Sequence, residues 1–365
     1  MTDIAVLAAT SGHSGVDRVI KNLLPEIARQ GYQVDLLRIK GHGPRLNASQ
    51  RNLRIVELGC SHVSTLMPSL IRYLRQARPK ALLSDKDRVN RAALISRYLA
   101  KSDTRIYARI GTTVSANIKK RGTIEQLIQL FSIRSLYPLA SGVLTPSEGS
   151  KQDLFELSGH RLKNIHVVPS PVIGDEMHEL GASDLPPAPI IRDHEILVVA
   201  LGELSQRKDY LTLIRAFRHV ATSNKLARLA IIGEGRERQR LENAIKEFSL
   251  EEAVFLPGFV SNPYPYLRRA NLFVHTAHWE GMPVSMIEAM AFGTPVVSTD
   301  CPHGPRELLH HGELGKLVPI ADEKELANAI LDALENTVEP AQLREAVTRF
   351  TIRNSARAYL DAMGF

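Results

Sequence analysis

Cysteine is almost missing from this chain of 365 residues: Cys60 and Cys301 lie in different halves, without the spacing of metal ligands. That excludes a disulfide framework and a thiolate metal site, and a reducing cytoplasm is the expected compartment. Long apolar runs are missing as well. No uncharged stretch approaches the roughly 20 residues that span a bilayer. The opening MTDIAVLAAT has no basic leader before Ser11, Gly12 and His13, so it reads as a first buried strand and not as a secretory signal. Aromatic residues make up 5% of the chain and form no rich stretch of the kind nucleic-acid binders use, so nucleic acid is not an expected partner. Low-complexity tracts are absent, and 44% hydrophobic with 23% charged residues is the composition of a folded globular protein.

Acidic side chains are short only locally. Residues 1–180 hold 26 Lys and Arg against 15 Asp and Glu, while the remainder holds 20 against 24, so the net +7 divides into +11 and −4. Residues 70–121 concentrate the excess, with 14 cations against Asp85, Asp87 and Asp103. Such a patch attracts an anionic surface or a phosphorylated acceptor. Within it, Asp85-Lys86-Asp87 has a D-x-D form that can hold a metal and a nucleotide, but among so many cations it reads as a solvated turn. Residues 66–78 place Leu66, Leu70, Ile71 and Leu74 on one side and Arg72, Arg75 and Arg78 on others. That suits either an interfacial membrane helix or an ordinary core-facing one.

The length suits two domains. Short apolar runs alternate with amphipathic stretches, which calls for parallel strands joined by crossover helices, an α/β pattern met twice. Strands are expected at residues 4–8, 34–37, 81–84, 105–109, 142–144 and 165–168, then at 196–201, 229–232, 254–256, 272–275, 295–298 and 316–318. Helices are expected over residues 18–30, 210–220 and 237–248. Prolines at 169, 171, 186, 187 and 189 break regular structure. The expected division is a first domain over 1–170, a linker over 171–194, a second domain over 195–342, and one or two helices over 343–365.

The richest chemistry lies in Glu280-Gly281-Met282-Pro283-Val284-Ser285-Met286-Ile287-Glu288-Ala289-Met290-Ala291-Phe292-Gly293-Thr294-Pro295. A strand, a turn at Gly281 and Pro283, and a short helix from near Ser285 follow one another. Free N–H groups at such a helix start form a site for a diphosphate or for sugar hydroxyls. Glu280 stands before the helix and Glu288 about one turn inside, where a carboxylate can bridge vicinal hydroxyls. A second element, Gly202-Glu203-Leu204-Ser205-Gln206-Arg207-Lys208-Asp209, joins a strand to a helix. A lysine there can neutralise a leaving diphosphate, although a solvated Arg-Lys pair is the plainer alternative. Gly233-Glu234-Gly235 and Gly258 close two further strands. Near the start, Thr10-Ser11-Gly12-His13-Ser14-Gly15 joins the first strand to the first helix, where glycines permit close backbone approach to phosphate. His13 is a candidate acid or base, or a solvated loop histidine.

The E-x7-E spacing followed by E-A-M-A-x-G-x-P-V-V resembles the retaining GT-B glycosyltransferases of family 4, those with the "glycosyl transferases group 1" domain. Cys301-Pro302-His303-Gly304-Pro305-Arg306-Glu307 resembles a motif of the branch that builds bacterial surface polysaccharides. The resemblance implies an α/β GT-B fold, two Rossmann-like domains facing each other across a cleft, acceptor domain first, with the segment 343–365 packing back on it. It implies a donor sugar contact at Glu280, a ribose contact at Glu288, and donor contacts from Gly281, Met282, Pro283, Val284, Gly12, Gly15, Gly233 and Gly258. Lys208 matches the family's clamp lysine. The clamp arginine's position is Glu203, so Arg207 is the expected replacement. Many relatives carry a histidine where this chain has Ala108-Arg109, which makes Arg109 a second acceptor-side candidate beside His13.

The implied substrates are a UDP- or GDP-linked sugar and a saccharide or polyprenyl-diphosphate acceptor. No cofactor or metal is implied. The implied place is the cytoplasm, with peripheral contact at the inner face of an anionic membrane. Two other readings stay open: a GT-B sugar-nucleotide epimerase, and a non-catalytic protein binding anions or nucleic acid through the basic first half.

Overall fold

The computed structural model describes residues 2–10, 15–44, 46, 50–119, 121–185, 192 and 194–365. The chain divides into two compact units, one running to Val172 and regaining Phe350–Phe365, the other formed by Ile173–Arg349.

In the first unit, β1 (Ile4–Ala8), β2 (Val34–Arg38), β3 (Leu53–Glu57), β4 (Ala81–Asp85), β5 (Arg105–Arg109), β6 (Gly142–Thr145) and β7 (Ile165–Val167) form a sheet in the order β3-β2-β1-β4-β5-β6-β7. Every pairing is parallel. The strand period of two explains why β1 is apolar throughout. Ile4, Val6 and Ala8 pack with the helices Gly15–Arg29 and Ile352–Met363, while Ala5 and Leu7 pack on the other face with the helices Leu66–Ala77 and Asp87–Ala100. Leu66, Leu70 and Leu74 are fully buried there, so the stretch 66–78 is a core-facing helix and not an interfacial one. The last helix is part of this unit, with Tyr359, Leu360 and Met363 buried in its core.

In the second unit, β8 (Ile196–Leu201), β9 (Ala227–Ile232), β10 (Val254–Gly258), β11 (Leu272–His275), β12 (Val296–Thr299) and β13 (Lys316–Val318) are ordered β10-β9-β8-β11-β12-β13, again all parallel. The helices Tyr210–Ser223 and Glu323–Glu335 bury Leu213, Ile214, Phe217, Leu326 and Ile330 against Val198, Ala200 and Val274. Within the stretch read as a linker, Met177–Gly181 is a helix of this unit, and Gly181 lies so close to Phe292 that a Cβ would fall 2.6 Å from its ring. β3 has no counterpart among the expected strands. It is the edge of its sheet, and its burial falls off after Leu53, so it lacks the continuous apolar run of the central strands.

Candidate active site

Both sheets reverse strand order after their first strand, β1 or β8, and in such sheets ligands bind beyond the carboxyl ends of the strands. In the second unit those ends carry the loops singled out in the sequence. The segment after β8 is tied to the segment after β11: Thr276 Oγ1 donates to the Lys208 carbonyl at 2.7 Å, and the His278 N–H donates to the Arg207 carbonyl at 2.8 Å. The backbone of Glu280 is fixed from the other side. Its N–H donates to the Pro302 carbonyl at 2.7 Å, and the His303 N–H donates to its carbonyl at 2.8 Å. Gly304 makes that approach possible, because a Cβ there would fall 2.7 Å from the Gly281 carbonyl oxygen and 2.8 Å from Met282 Cα. This is the physical content of the Cys301-Pro302-His303-Gly304 motif.

These constraints converge on one carboxylate oxygen. Glu280 Oε1 is 2.7 Å from Lys208 Nζ and 2.7 Å from Arg207 Nη1. Burial alone would raise the Glu280 pKa, but the charges of Lys208 and Arg207 hold it well below the usual carboxylate range. His275, which ends β11, sits beneath with Nε2 3.8 Å from the same oxygen and Nδ1 3.0 Å from Ser298 Oγ. Burial, reinforced by the two nearby cations, lowers its pKa to about 4, so it is a neutral imidazole at neutral pH. Two cations, one anion and a neutral histidine leave the cluster with a net charge of +1. That is a preorganised surplus for an anionic group.

The helix Val284–Phe292 begins just beyond, with extended Pro283 at its N-cap and no side-chain capping bond. Its start presents backbone N–H groups and the positive end of the dipole. Gly281, Met282 and Pro283 are buried and Val284 half-buried. Glu288 lies in the second turn, 1% exposed.

The other expected residues fall in varied places. Gly233 follows β9, and a Cβ there would overlap the Gly202 carbonyl oxygen, so packing of two strand ends already requires this glycine. Gly258 ends β10 and accepts from the Gly233 N–H at 2.9 Å. Glu203 is exposed, whereas Arg207 points at Glu280. Gly12 and His13 lie outside the described residues. Gly15 opens the helix Gly15–Arg29 of the first unit, and Asp17, 1% exposed, accepts a hydrogen bond from the Thr10 hydroxyl. Arg109 is 5% exposed, with Nη1 2.6 Å from Asp85 Oδ2 and Nε 2.7 Å from Tyr359 Oη. Its guanidinium therefore holds the last helix to β4 and β5. The same ion pair corrects the reading of Asp85-Lys86-Asp87 as a solvated turn: Asp85 is buried and paired, and Asp87 accepts from Tyr137 Oη at 2.9 Å. His275 was not foreseen. The available signal was a polar residue closing an otherwise apolar strand just before the glutamate motif.

Two Rossmann-like α/β units, each a sheet of parallel strands, are the architecture of a GT-B fold. Residues 184–350 match the family "Glycosyl transferases group 1", and this match together with the named relatives makes the chain a glycosyltransferase. Over 357 residues it is 29% identical to the N-acetylgalactosamine-N,N'-diacetylbacillosaminyl-diphospho-undecaprenol 4-alpha-N-acetylgalactosaminyltransferase of Campylobacter jejuni, covering 95% of this chain and 93% of that one. It is 24% identical over 355 residues to the amylovoran biosynthesis glycosyltransferase AmsD of Erwinia amylovora, covering 97% and 94%. Among solved structures, Anabaena Alr3699/HepE in complex with UDP and glucose superposes with a TM-score of 0.78 at 18% identity over the whole of both chains. The lipopolysaccharide outer core galactosyltransferase WaaB superposes with a TM-score of 0.73 at 17% identity, covering 100% of this chain and 99% of that one. These likenesses establish the fold.

Proposed function

We propose that the chain is a retaining glycosyltransferase that takes a sugar from a UDP- or GDP-linked donor and passes it to a saccharide or polyprenyl-diphosphate-linked acceptor during assembly of a bacterial surface polysaccharide. The observation that carries the donor half is the meeting of Lys208 and Arg207 on one oxygen of Glu280, beside an uncapped helix start. A donor diphosphate satisfies both cations and the N–H groups of that helix at once. Arg207 supplies the cation that Glu203 does not. Glu280, released from one of its partners, accepts from a donor hydroxyl, and Glu288 accepts from the ribose. As the glycosidic bond loosens to an oxocarbenium-like state, charge grows on the leaving phosphate, where fixed cations stabilise the transition state more than the ground state. The acceptor hydroxyl attacks from the same face, and a departing phosphate oxygen takes its proton. The cations do the work a metal would do elsewhere, so the reaction is metal-independent and excess EDTA leaves the rate unchanged.

The acceptor half is supported by two relatives, one named for a saccharide on diphospho-undecaprenol and the other for amylovoran biosynthesis. Both are named as transferases, which favours transfer over epimerisation. The cationic first half suits a lipid-diphosphate acceptor presented at the inner face of a cytoplasmic membrane. Thermal-shift titration with UDP- and GDP-sugars tests the donor half: one series stabilises the chain, and Lys208→Ala abolishes the shift. Equal shifts in the wild type and in Lys208→Ala would remove the basis of the proposal.

A further inference from the structure

The helix Thr123–Phe131 of the first unit carries its apolar residues on the outside. Ile124, Leu127, Ile128 and Phe131 are 75%, 63%, 42% and 62% exposed, whereas Gln129 is buried. At about 100° per residue, the four exposed positions fall within an arc of about 100° on one side of the helix. Four of the eleven large apolar side chains exposed among the described residues thus stand on one short helix. A stripe of this kind marks a surface that something covers.

Its surroundings are cationic. Lys119 is exposed and Arg121 half-buried just ahead of the helix, and Arg134 is exposed just beyond it. Glu125, the single acid of the helix, is paired with Arg88. The apolar stripe therefore lies in a field of net positive charge.

We infer that this helix docks on an anionic lipid bilayer, lying in the plane of the interface with Ile124, Leu127, Ile128 and Phe131 sunk among the acyl chains and Lys119 and Arg121 against lipid phosphates. This combination of an apolar stripe with flanking cations is what interfacial helices use. Nine residues rise about 13.5 Å, enough to lie on a bilayer and too little to cross it. Among the described residues no helix is long and apolar enough to cross a membrane. Charge also decides between occupants. A second copy seated on this face about a twofold axis would bring the same cations together, whereas an anionic bilayer complements them. The inference deepens the membrane contact proposed above and rests on that reading, but it uses no residue of the donor site.

The test is sedimentation of the full chain with phosphatidylcholine vesicles, with and without about 30% phosphatidylglycerol. The Leu127→Gln/Phe131→Gln variant is compared with Leu226→Gln, a single exposed leucine of the second unit. The expected result is binding of the wild type to the anionic vesicles, weakened by high salt, reduced at least tenfold in the double variant and unchanged in Leu226→Gln. Unreduced binding by the double variant would place the contact elsewhere and overturn the inference while leaving the membrane reading intact. No wild-type binding to either vesicle would overturn both. A double variant that turns a vesicle-free dimer into a monomer would assign the face to a second copy instead. The donor-induced thermal shift, measured on the same variant, stays unchanged and separates this result from the fate of the donor site.

Discussion

Glu280 illustrates how a single oxygen can organise a site: it holds Lys208 and Arg207 at 2.7 Å each. In the proposed mechanism, replacing Lys208 with alanine removes a charge fixed where the leaving group develops its own. Losses of 10²–10³-fold in kcat are typical for such donors, and steady-state transfer assays should show a fall of about that size. Arg207→Ala should fall comparably if Arg207 stands in for the absent clamp arginine, and little if it only covers Glu280. Acid sensitivity also belongs to this scale. His275 has a pKa of about 4 in the folded chain against a reference of 6.5, so between those values the unfolded chain binds the extra proton. Its contribution is fully present above pH 6.5 and is lost as the pH falls through that window, up to about 3 kcal/mol for a shift of this size. Glu280, held well below 4.5, adds a loss of the same sign at lower pH. Thermal melts from pH 7 to pH 4 should show Tm falling, and His275→Gln should flatten the part of the slope above pH 4.

At the scale of elements, the glycines separate backbone packing from ligand contact. Gly233→Ala drives a Cβ into the Gly202 carbonyl at the junction of β8 and β9, and such overpacking costs about 1–3 kcal/mol or more. Gly15→Ala meets nothing within 4 Å at the start of its helix, so denaturant melts should leave it unchanged or slightly stabilised. Activity lost in Gly15→Ala with stability retained would point to a substrate contact. The elements themselves were largely legible in the sequence. Central parallel strands are buried on both faces and read as uninterrupted apolar runs, and all twelve expected strands, edges included, coincide with observed ones. β3 escaped because only Leu53 of its five residues is buried and Arg54 and Glu57 interrupt its apolar run. The helix over residues 66–78 was ambiguous because amphipathicity specifies a buried face and not what covers it. The helix Thr123–Phe131 is amphipathic as well, but its apolar residues Ile124, Leu127, Ile128 and Phe131 are exposed.

At the scale of the molecule, the last helix belongs to the first unit, so that unit's stability depends on residues at the far end of the chain. Met363 is fully buried, and Tyr107 Oη donates to its carbonyl at 3.0 Å. Met363→Ala should cost about 2–5 kcal/mol in a chemical denaturation experiment. The site was less legible than the fold. Glu280, Glu288 and Lys208 stand in a contiguous motif or at a fixed place after a strand, but the partners of Glu280 depend on which loops the sheet brings together. Arg207 could only be guessed as a substitute, His275 was hidden in an apolar strand, and the burial of Arg109 against Tyr359 joins residues 250 apart. The most direct test of the central claim is calorimetric titration of the wild type and Lys208→Ala with UDP and GDP. One of the two nucleotides should bind the wild type, and Lys208→Ala should weaken it by at least tenfold; wild-type binding of neither, or an unchanged affinity in the variant, would rule out a donor site at Glu280.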